Sequence, residues 1–519
     1  MIQSSSLWEL IEARARKTPD ALFAVDDGDR QLSFETYRHQ CLRCASGLSE
    51  RGITAGSSVS WALPTGLESL ILMGALARLA ARQNPILPIY REREIGFIVQ
   101  QSECRLLVVP REFRGYSYGD LAAHLAAQKT DLDVHVVDAG LPAADEKSLP
   151  GWTPVQPDNP DSNTPPATWL FYTSGTTADP KGALHTDQSL LAYAFGMADC
   201  LQLNEEDRIA LVFPITHIGG VGWLMAGLMS GAAQICVAQF DAQTTPAVLA
   251  RHGVTQAAAG TAFHQAYLEA QRAHGQDAFF PRVRSFPGGG APKPPQLHFD
   301  IKREMGGQGI VSGYGLTECP TCSMNRVTDP DEKLAHTEGR ANPSDLEFKI
   351  VKLDDSVAGI GEEGEVRMKG PQLFKGYLDP ALGADAFDDQ GFFRSGDLGR
   401  LDSEGFLSIT GRIKDIIVRK GENISAKEVE DLLHEHPGIA EAAAIGLPDP
   451  KSGERCCAVL VATQEGSPPE FKEIIQFLRD KGLTPQKLPE QIEWIDGLPR
   501  NATGKVLKHE LRKQFDRTG

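Results

Sequence analysis

Helical and strand-like segments alternate along much of this chain, and this alternation limits the possible folds more than any other feature of the sequence. The segment "SFETYRHQCLRCASGLSERG" has the spacing of an amphipathic helix and is followed by the short apolar segment "SSVSWALP". Between residues 205 and 345 the pattern continues with "RIALVFPI" and "GAAQICVA", which are separated by glycine-rich turns. Such alternation is typical of layered α/β structure, so we predict a large, multi-layered α/β body.

The C-terminal part of the chain has a different pattern, which predicts a small α+β unit. The segment "SAKEVEDLLHEH" begins with a capping box formed by Ser425 and Glu428. The segment "EFKEIIQFLRDKG" repeats this device, and Gly482 ends the second helix. The apolar segments "EAAAIGL" and "CCAVLVA" between them predict strands.

The length of the chain supports a division into two domains. With 519 residues, the chain is too long for one ordinary hydrophobic core. We therefore predict an N-terminal α/β body of residues 1–411 and a small α+β C-terminal lid domain of residues 412–519.

Charge and hydropathy exclude several classes of protein. The net charge of −17 opposes non-specific binding to nucleic acid or to an anionic membrane, so an anionic ligand needs a locally basic site. The most apolar run, "LESLILMGALARLAARQ", is interrupted by Glu68, Arg78 and Arg82 and is too charged to span a bilayer. The N-terminal segment lacks the pattern of a signal peptide. We predict a cytoplasmic protein with no membrane span and no nucleic-acid partner.

The cysteines indicate a reducing compartment. Nine cysteines are spread along the chain, an odd number that suits free thiols. Cys41 and Cys44 continue an apolar helical stripe with Tyr37, which predicts core packing. Cys319 and Cys322 form a second C-x-x-C pair, for which a zinc or redox role stays open as an alternative to packing.

A loop rich in hydroxyl groups follows the apolar strand "ATWLFYT" directly. Its single glycine lets the backbone fold closely around an anion, and its lysine adds a positive charge. It differs from the G-x-x-x-x-G-K-[ST] pattern because Pro180 precedes the lysine and Gly182 follows it. The residues predict a polyphosphate-binding loop, with an ordinary surface turn as the alternative. The candidate residues are Thr173, Ser174, Gly175, Thr176, Thr177 and Lys181.

Four further motifs follow this loop in order. They are "GYGLTE" at 313–318, "RSGDLG" at 394–399, "GRIKDIIVRKGENIS" at 411–425 and "PRNATGKVLK" at 499–508. Together with residues 173–182, they resemble the motifs of the adenylate-forming superfamily of acyl-CoA synthetases, luciferases and peptide-synthetase adenylation domains. The resemblance covers nearly the whole chain, and five ordered motifs are far more specific than one glycine loop.

The resemblance implies that this loop holds the β- and γ-phosphates of ATP. Thr317 would then bind a phosphate oxygen, and Glu318 and Thr176 would hold Mg²⁺, a cation that prefers oxygen ligands. Asp397 would accept hydrogen bonds from both ribose hydroxyls, with a cap for its own turn as the alternative. Arg412 would contact ribose and phosphate.

The resemblance also implies an adenine site. Tyr314 would stack on the base, with a core tyrosine as the alternative reading. Beside it, small residues would let the backbone approach a flat ring closely. These residues are Gly289, Gly290 and Ala291.

In the C-terminal lid, the resemblance implies the catalytic lysine and a moving part. Lys505 would bridge the substrate carboxylate and the α-phosphate, which offsets the repulsion between two anions. Lys414 occupies the hinge position, about which a mobile lid would rotate between two half-reactions. Rotation would remove Lys505 and bring Lys420 and Gly421 to the site, where the glycine leaves room for the pantetheine of CoA. His217 would be the gate between acyl site and thiol tunnel, or a satisfied core histidine.

The substrate is predicted only as a class. Residues 213–223 contain no aspartate to pair with an ammonium group, so an amino acid is disfavoured. Gly219, Gly220 and Gly222, with the small residues of 256–261, predict a roomy apolar cavity. We therefore expect a hydrophobic acid, which could be alicyclic, aromatic, steroid-like or fatty.

The predicted function is that of an AMP-forming acid:CoA ligase that uses ATP, Mg²⁺ and CoA. A ligase that loads a carrier protein is an alternative within the superfamily. An ADP-forming ATPase or kinase is opposed by the absent Walker pattern. A non-catalytic nucleotide-binding protein is opposed by the presence of Lys505 and Glu318. A homodimer stays open.

Overall fold

The computed structural model describes residues 1–516 except 139, 153–165, 174–179, 291–292, 344, 420–421, 450–451, 464–467 and 501–504. Its helices are α1 (Leu7–Lys17), α2 (Phe34–Glu50), α3 (Leu67–Arg78), α4 (Glu92–Gln101), α5 (Tyr118–Gln128), α6 (Asp187–Cys200), α7 (Ile218–Ser230), α8 (Thr245–Arg251), α9 (Thr261–His274), α10 (Pro295–Met305), α11 (Asp331–His336), α12 (Ala426–Leu433), α13 (Phe471–Asp480) and α14 (Lys508–Phe515).

The strands are β1 (Leu22–Asp26), β2 (Gln31–Ser33), β3 (Ser58–Trp61), β4 (Arg82–Pro85), β5 (Leu106–Pro110), β6 (Glu112–Phe113), β7 (Tyr116–Ser117), β8 (Asp133–Val137), β9 (Trp169–Thr173), β10 (Lys181–His185), β11 (Arg208–Leu211), β12 (Ala233–Cys236), β13 (Phe286–Gly289), β14 (Ile310–Leu316), β15 (Cys319–Met324), β16 (Arg340–Ala341), β17 (Glu347–Val351), β18 (Gly364–Lys369), β19 (Gly376–Tyr377), β20 (Phe393–Leu401), β21 (Leu407–Arg412), β22 (Ile416–Arg419), β23 (Glu422–Ser425), β24 (Ile439–Asp449), β25 (Gly453–Ala462) and β26 (Gln491–Trp494).

The N-terminal body is built from several sheets covered by helices. A seven-stranded sheet has the order β19-β10-β9-β4-β3-β5-β8, and its strands β9, β4, β3, β5 and β8 run parallel. Four-stranded sheets have the orders β11-β12-β1-β2, β13-β14-β15-β16 and β17-β18-β20-β21. The predicted multi-layered α/β body is confirmed.

The main core of the body lies where helices α1, α2, α3, α6 and α7 meet the seven-stranded sheet. Trp61 of β3 and Trp169 of β9 are fully buried there. Cys41 and Cys44 of α2 belong to the same core beside Tyr37, which confirms the prediction that they pack. Apolar burial of this extent is the main force that holds the sheet and its helices together.

The second cysteine pair also lies in the interior. Cys319 and Cys322 are buried free thiols of β15. In the described part of the chain, no group of three or more His, Cys, Asp or Glu side chains could hold a metal. The zinc alternative therefore has no support there.

The C-terminal unit is a smaller α+β domain. Strands β23, β22, β25 and β24 form its sheet in that order, and β26 pairs with β25. Ser425 caps α12 by accepting the N–H of Glu428, but the Glu428 carboxylate binds Lys487 Nζ at 2.6 Å. Helix α13 has no side-chain cap, so the second predicted capping box is wrong. Gly482 follows α13 with φ of +87°, which confirms the predicted helix end.

None of the helices in the described ranges has both the length and the apolar character needed to cross a membrane. The most apolar run of the sequence instead forms α3, which ends at Arg78, and the strand β4.

Candidate active site

Asp397 is the centre of a polar cluster formed by three strands. The residue lies in β20 and is 2% exposed. Its Oδ2 accepts a hydrogen bond from the hydroxyl of Tyr314 in β14 at 2.6 Å. Its Oδ1 lies 2.7 Å from Nε of Arg412, the residue opposite it in β21. Three residues predicted from separate motifs therefore meet at one carboxylate.

The local turn explains why the Asp397 side chain is available to these partners. Gly396 has φ of +69°, a conformation that favours glycine. The hydroxyl of Ser395 accepts the Asp397 N–H at 3.0 Å. Ser395 therefore caps the turn, and the carboxylate of Asp397 contacts side chains from neighbouring strands instead. The alternative that Asp397 caps its own turn has no support.

Lys505 of the C-terminal domain lies in the same charged environment. Burial lowers the pKa of Lys505 to about 8, and repulsion from Arg412 acts in the same direction while Asp397 opposes it. Burial and Arg412 also lower the pKa of Lys414. Asp415 lies 3.2 Å from the guanidinium of Arg512. A lysine, an arginine and a carboxylate thus converge where the two domains meet, an arrangement suited to an anionic ligand with polar hydroxyls.

Glu318 lies in a second cluster with Lys181. The hydroxyl of Tyr377 donates to Glu318 Oε1 at 2.8 Å. Lys181 Nζ lies 5.4 Å from the centroid of the Tyr377 ring. Thr173 ends β9 and is the strand partner of Lys181, so the two ends of the predicted phosphate loop are adjacent. Ser174, Gly175, Thr176 and Thr177 lie outside the described residues.

The donor set at Glu318 fits Mg²⁺. Oε2 of Glu318 has no hydrogen-bond partner among the residues that the structure describes, and an ionised carboxylate is a hard oxygen ligand. Mg²⁺ keeps several waters and is usually bound by one or two carboxylates together with substrate phosphates. One protein carboxylate beside a phosphate loop therefore suffices for a metal that arrives with a nucleotide.

Thr317 is held by a histidine that sequence reasoning missed. His185 of β10 is buried, and its Nε2 lies 2.8 Å from the carbonyl oxygen of Thr317. Burial lowers the pKa of His185 to about 4, so the ring is neutral at physiological pH and Nε2–H donates this bond. His185 thereby fixes the backbone next to Glu318.

The glycine segment forms a narrow strip beside Tyr314. Gly289 pairs with Gly313 across β13 and β14, and a Cβ on Gly289 would lie 2.5 Å from the Gly313 oxygen. A Cβ on Gly290 would meet no atom within 4 Å, so the backbone is open on that side. This open strip next to an aromatic ring suits a flat ligand. Ala291 lies outside the described residues.

Lys293 is a second residue that sequence reasoning missed. Its side chain is 6% exposed, and its Nζ donates to Ser312 Oγ at 2.7 Å and to the Thr337 oxygen at 3.3 Å. Burial lowers the pKa of Lys293. The ammonium group therefore ties the end of the glycine segment to β14, two residues before Tyr314.

His217 lies at the start of α7, beside Thr317. Its Nδ1 accepts the N–H of Gly219 at 3.1 Å, and burial lowers its pKa to about 4. The imidazole lines a cavity of about 20 Å³ together with Ile86, Phe171 and Thr317. The histidine is thus a helix cap and also borders the space next to the phosphate-binding motif, and its role as a gate stays a prediction.

Gly220 and Gly222 of α7 do not line a roomy cavity, so this part of the expectation is wrong. A Cβ on Gly222 would lie 2.3 Å from Tyr193 Cε2, and a Cβ on Gly220 would lie 2.7 Å from Ile215 Cα. A Cβ on Gly219 would lie 3.2 Å from Nδ1 of His217. The glycines are needed because α7 packs closely against α6 and against the turn that precedes it.

Comparison with protein families gives matches over both parts of the chain. Residues 11–378 match the family model described as AMP-binding enzyme. Residues 428–505 match the model described as AMP-binding enzyme C-terminal domain.

Individual proteins resemble the chain over nearly its full length. The medium-chain fatty-acid–CoA ligase of Escherichia coli is 32% identical, over 99% of this chain and 91% of that protein. The salicyl-AMP ligase / salicyl-S-ArCP synthetase of Mycobacterium tuberculosis is 32% identical, over 96% of this chain and 89% of that protein. O-succinylbenzoate coenzyme A synthetase from Bacillus subtilis, solved in complex with ATP and magnesium ion, has a TM-score of 0.81 and 27% identity, over 97% and 98% of the two chains.

Proposed function

The chain belongs to the AMP-binding enzyme family and is an adenylate-forming ligase, and from this premise we propose that it joins a hydrophobic carboxylic acid to CoA. In the first step a carboxylate oxygen attacks the α-phosphorus of ATP, and pyrophosphate leaves. In the second step the thiol of CoA attacks the acyl carbon, and AMP leaves. The observation that carries the proposal is the contact of Tyr314 and Arg412 with Asp397, whose charge together with that of Arg412 also acts on Lys505.

Asp397 and Tyr314 are proposed to bind the nucleoside. The two oxygens of Asp397 accept hydrogen bonds from the ribose hydroxyls, which replace or share its contacts with Tyr314 and Arg412. The Tyr314 ring stacks on adenine against the open backbone at Gly290. This assignment uses the two groups that best match a sugar diol and a flat base.

Glu318 and Lys181 are proposed to bind the pyrophosphate end of ATP with Mg²⁺. The metal neutralises phosphate charge and thereby makes pyrophosphate a better leaving group. Lys181 adds a fixed positive charge next to Thr173 at the base of the loop. Thr317 offers a hydroxyl beside the acyl cavity, where the α-phosphate and the carboxylate meet.

Lys505 is proposed to be the catalytic residue of the first step. The approaching carboxylate and the α-phosphate repel each other, and a lysine between them stabilises the charge that develops in the transition state. The lowered pKa of Lys505 reflects a desolvated amine among other cations, and polyphosphate binding adds negative charge that favours its protonated form.

The second step is proposed to need a rotation of the C-terminal domain about Lys414, with the domain boundary between residues 411 and 412. Lys505 occupies the space near Asp397, so a thiol needs another arrangement to reach the acyl carbon. Lys420 and Gly421, which lie outside the described residues, are our candidates for the segment that then borders the thiol.

A hydrophobic acid is favoured by the side chains around His217. Ile86 and Phe171 line the cavity there, and among the residues that the structure describes, none of the side chains that border it is a carboxylate that could pair with an ammonium group. Two relatives are named for a medium-chain fatty acid and for salicyl-AMP, whose acyl parts are an alkyl chain and a hydroxyl-bearing aromatic ring. The cavity of about 20 Å³ is too small for such an acid, so side chains must move when it binds.

A carrier protein is the second candidate acceptor, because one relative is named as a salicyl-S-ArCP synthetase. CoA is preferred because the Escherichia coli and Bacillus subtilis relatives are both named as CoA-dependent enzymes. The two acceptors share the first half-reaction and differ only in the thiol of the second.

The test is mass-spectrometric product analysis with ATP, Mg²⁺, CoA and a panel of fatty, aromatic, alicyclic and steroid side-chain acids. We expect AMP, pyrophosphate and one or a few acyl-CoA products. The Lys505→Ala variant is the control, in which these products should be strongly reduced. Formation of ADP would contradict the proposed chemistry. Accumulation of acyl-AMP without a CoA thioester would instead favour the carrier protein as acceptor.

A further inference from the structure

Tyr377, which belongs to none of the five motifs, contacts two of the residues that we propose for binding ATP and Mg²⁺. It lies in β19, where it is the antiparallel partner of Ala183 in β10. This pairing brings it beside Lys181, which lies two residues from Ala183 in the same strand. Its ring also packs edge-on against Phe374, with the centroids 4.9 Å apart. The sheet therefore fixes the Tyr377 side chain.

The hydroxyl of Tyr377 controls the orientation of Glu318. It donates to Oε1 at 2.8 Å, and the backbone N–H of Phe374 donates to the Glu318 carbonyl oxygen at 2.8 Å. With Oε1 engaged, Oε2 is the carboxylate oxygen left for a ligand among the described contacts.

The ring of Tyr377 acts on Lys181. A lysine ammonium within about 6 Å of an aromatic centroid is attracted to the face of the ring. Lys181 Nζ lies 5.4 Å from this centroid, so the ring limits the rotamers of a long and flexible side chain. One residue thus contacts both the carboxylate and the cation at this end of the site.

We propose that Tyr377 is a positioning residue for the magnesium and pyrophosphate end of the site, with its hydroxyl orienting Glu318 for Mg²⁺ and its ring holding Lys181 near the phosphates. The inference rests on the proposed function, which assigns Mg²⁺ to Glu318 and phosphate to Lys181. Tyr377 touches neither ligand in this scheme and acts through the two residues that do.

The test is calorimetric binding of an ATP analogue with a methylene group between the α- and β-phosphates, measured with Mg²⁺ and separately with EDTA. For Tyr377→Phe we expect affinity for the magnesium complex to fall about 10- to 100-fold, the range for loss of a partner behind a metal ligand. Affinity for the metal-free analogue should stay within about twofold, because phenylalanine keeps a ring near Lys181. Tyr377→Leu should weaken both forms.

Tyr118→Phe is the matched control. The Tyr118 hydroxyl donates to the Pro88 oxygen at 2.7 Å, and the Arg91 guanidinium lies 5.7 Å from its ring centroid. Like Tyr377→Phe, this variant loses the hydroxyl bond and keeps the ring near a cation, but it does so away from Glu318, and we expect both affinities to stay at the wild-type values.

A double-mutant cycle with Glu318→Gln separates positioning from general destabilisation. If Tyr377 acts through Glu318, the double variant should bind the magnesium complex about as weakly as Glu318→Gln alone. Additive losses, an equal loss with and without Mg²⁺, or no loss in Tyr377→Phe would overturn the inference. Wild-type protein that does not bind the magnesium complex at all would instead contradict the proposed function.

Discussion

The nucleotide end and the acyl end of the candidate site are built in different ways. At the nucleotide end, Asp397 already accepts a hydrogen bond of 2.6 Å from Tyr314 and forms an ion pair of 2.7 Å with Arg412. At the acyl end, α7 packs through Gly220 and Gly222, and a cavity of about 20 Å³ is left beside His217. Polar groups in fixed positions suit one constant ligand, ATP. Close-packed side chains leave little space at the acyl end, so side chains must move there when an acid binds.

The largest effect should come from Lys505→Ala, which tests the nucleotide end. We expect acyl-AMP formation to fall about 100- to 1,000-fold, the usual cost of removing one group that stabilises transition-state charge. Thioester formation from pre-made acyl-AMP should be spared, because that step does not use Lys505. Pyrophosphate release and single-turnover thioester assays measure the two steps, and an equal loss in both would contradict the assignment.

The next effect should come from Asp397→Ala. Loss of hydrogen bonds from ribose to a charged acceptor should weaken ATP binding about 10- to 100-fold. The affinity for the acid should change less than about twofold if the nucleotide end and the acyl end bind their ligands independently. Equilibrium binding of each substrate checks this, and a change confined to the acid would make the ribose assignment wrong.

The pH dependence of the first step should give a smaller effect. The pKa of Lys505 is lowered to about 8, and its protonated form is the active one, so kcat/KM for ATP should fall as pH rises through 8. The expected decrease from about pH 7 to about pH 9 is roughly tenfold. His185 and His217, whose pKa values are lowered to about 4, stay neutral throughout this range.

Lys505→Arg is the control for this pH profile. Arginine stays protonated over the whole range, so the alkaline decrease should disappear even if the overall rate is lower. A decrease that persists unchanged in this variant would mean that a different group titrates.

The smallest effect on catalysis should come from Gly222→Ala, which tests the acyl end. The added Cβ would lie 2.3 Å from Tyr193 Cε2, so we expect the free energy of unfolding to fall by about 1–3 kcal/mol. The choice of acid should not change. Thermal unfolding and the acid panel measure both properties, with Gly219→Ala as the milder comparison. An unchanged melting temperature with an altered choice of acid would restore the roomy-cavity interpretation.

The residues proposed for the nucleotide end could be selected from the sequence because each one lies in a motif. Tyr314, Glu318, Asp397, Arg412 and Lys505 belong to short segments whose order identifies the superfamily. The alternating pattern likewise predicted the α/β body, since helix and strand periods are local properties.

The residues that the sequence did not predict depend on distant strand pairing. Tyr377 binds Glu318 across 59 residues, and His185 binds Thr317 across 132 residues. Neither tyrosine nor histidine has a local signal that distinguishes this role from core packing. The prediction made from the glycines of α7 was wrong for a related reason. Glycine permits both an open cavity and close helix packing, and the residues that pack against the helix decide between them.

The strand pairing of Asp397 with Arg412 also has a practical consequence for protein engineering. Arg412 is the last residue of β21 and pairs with Asp397 of β20, and Lys414 follows it by two residues. A chimera joined directly after Arg412 would keep Asp397, its guanidinium partner and Tyr314, the residues proposed to bind the nucleoside, on one parent. The other parent would contribute its own lysine and thiol-facing segment, so acceptor preference could be exchanged without rebuilding the nucleoside contacts.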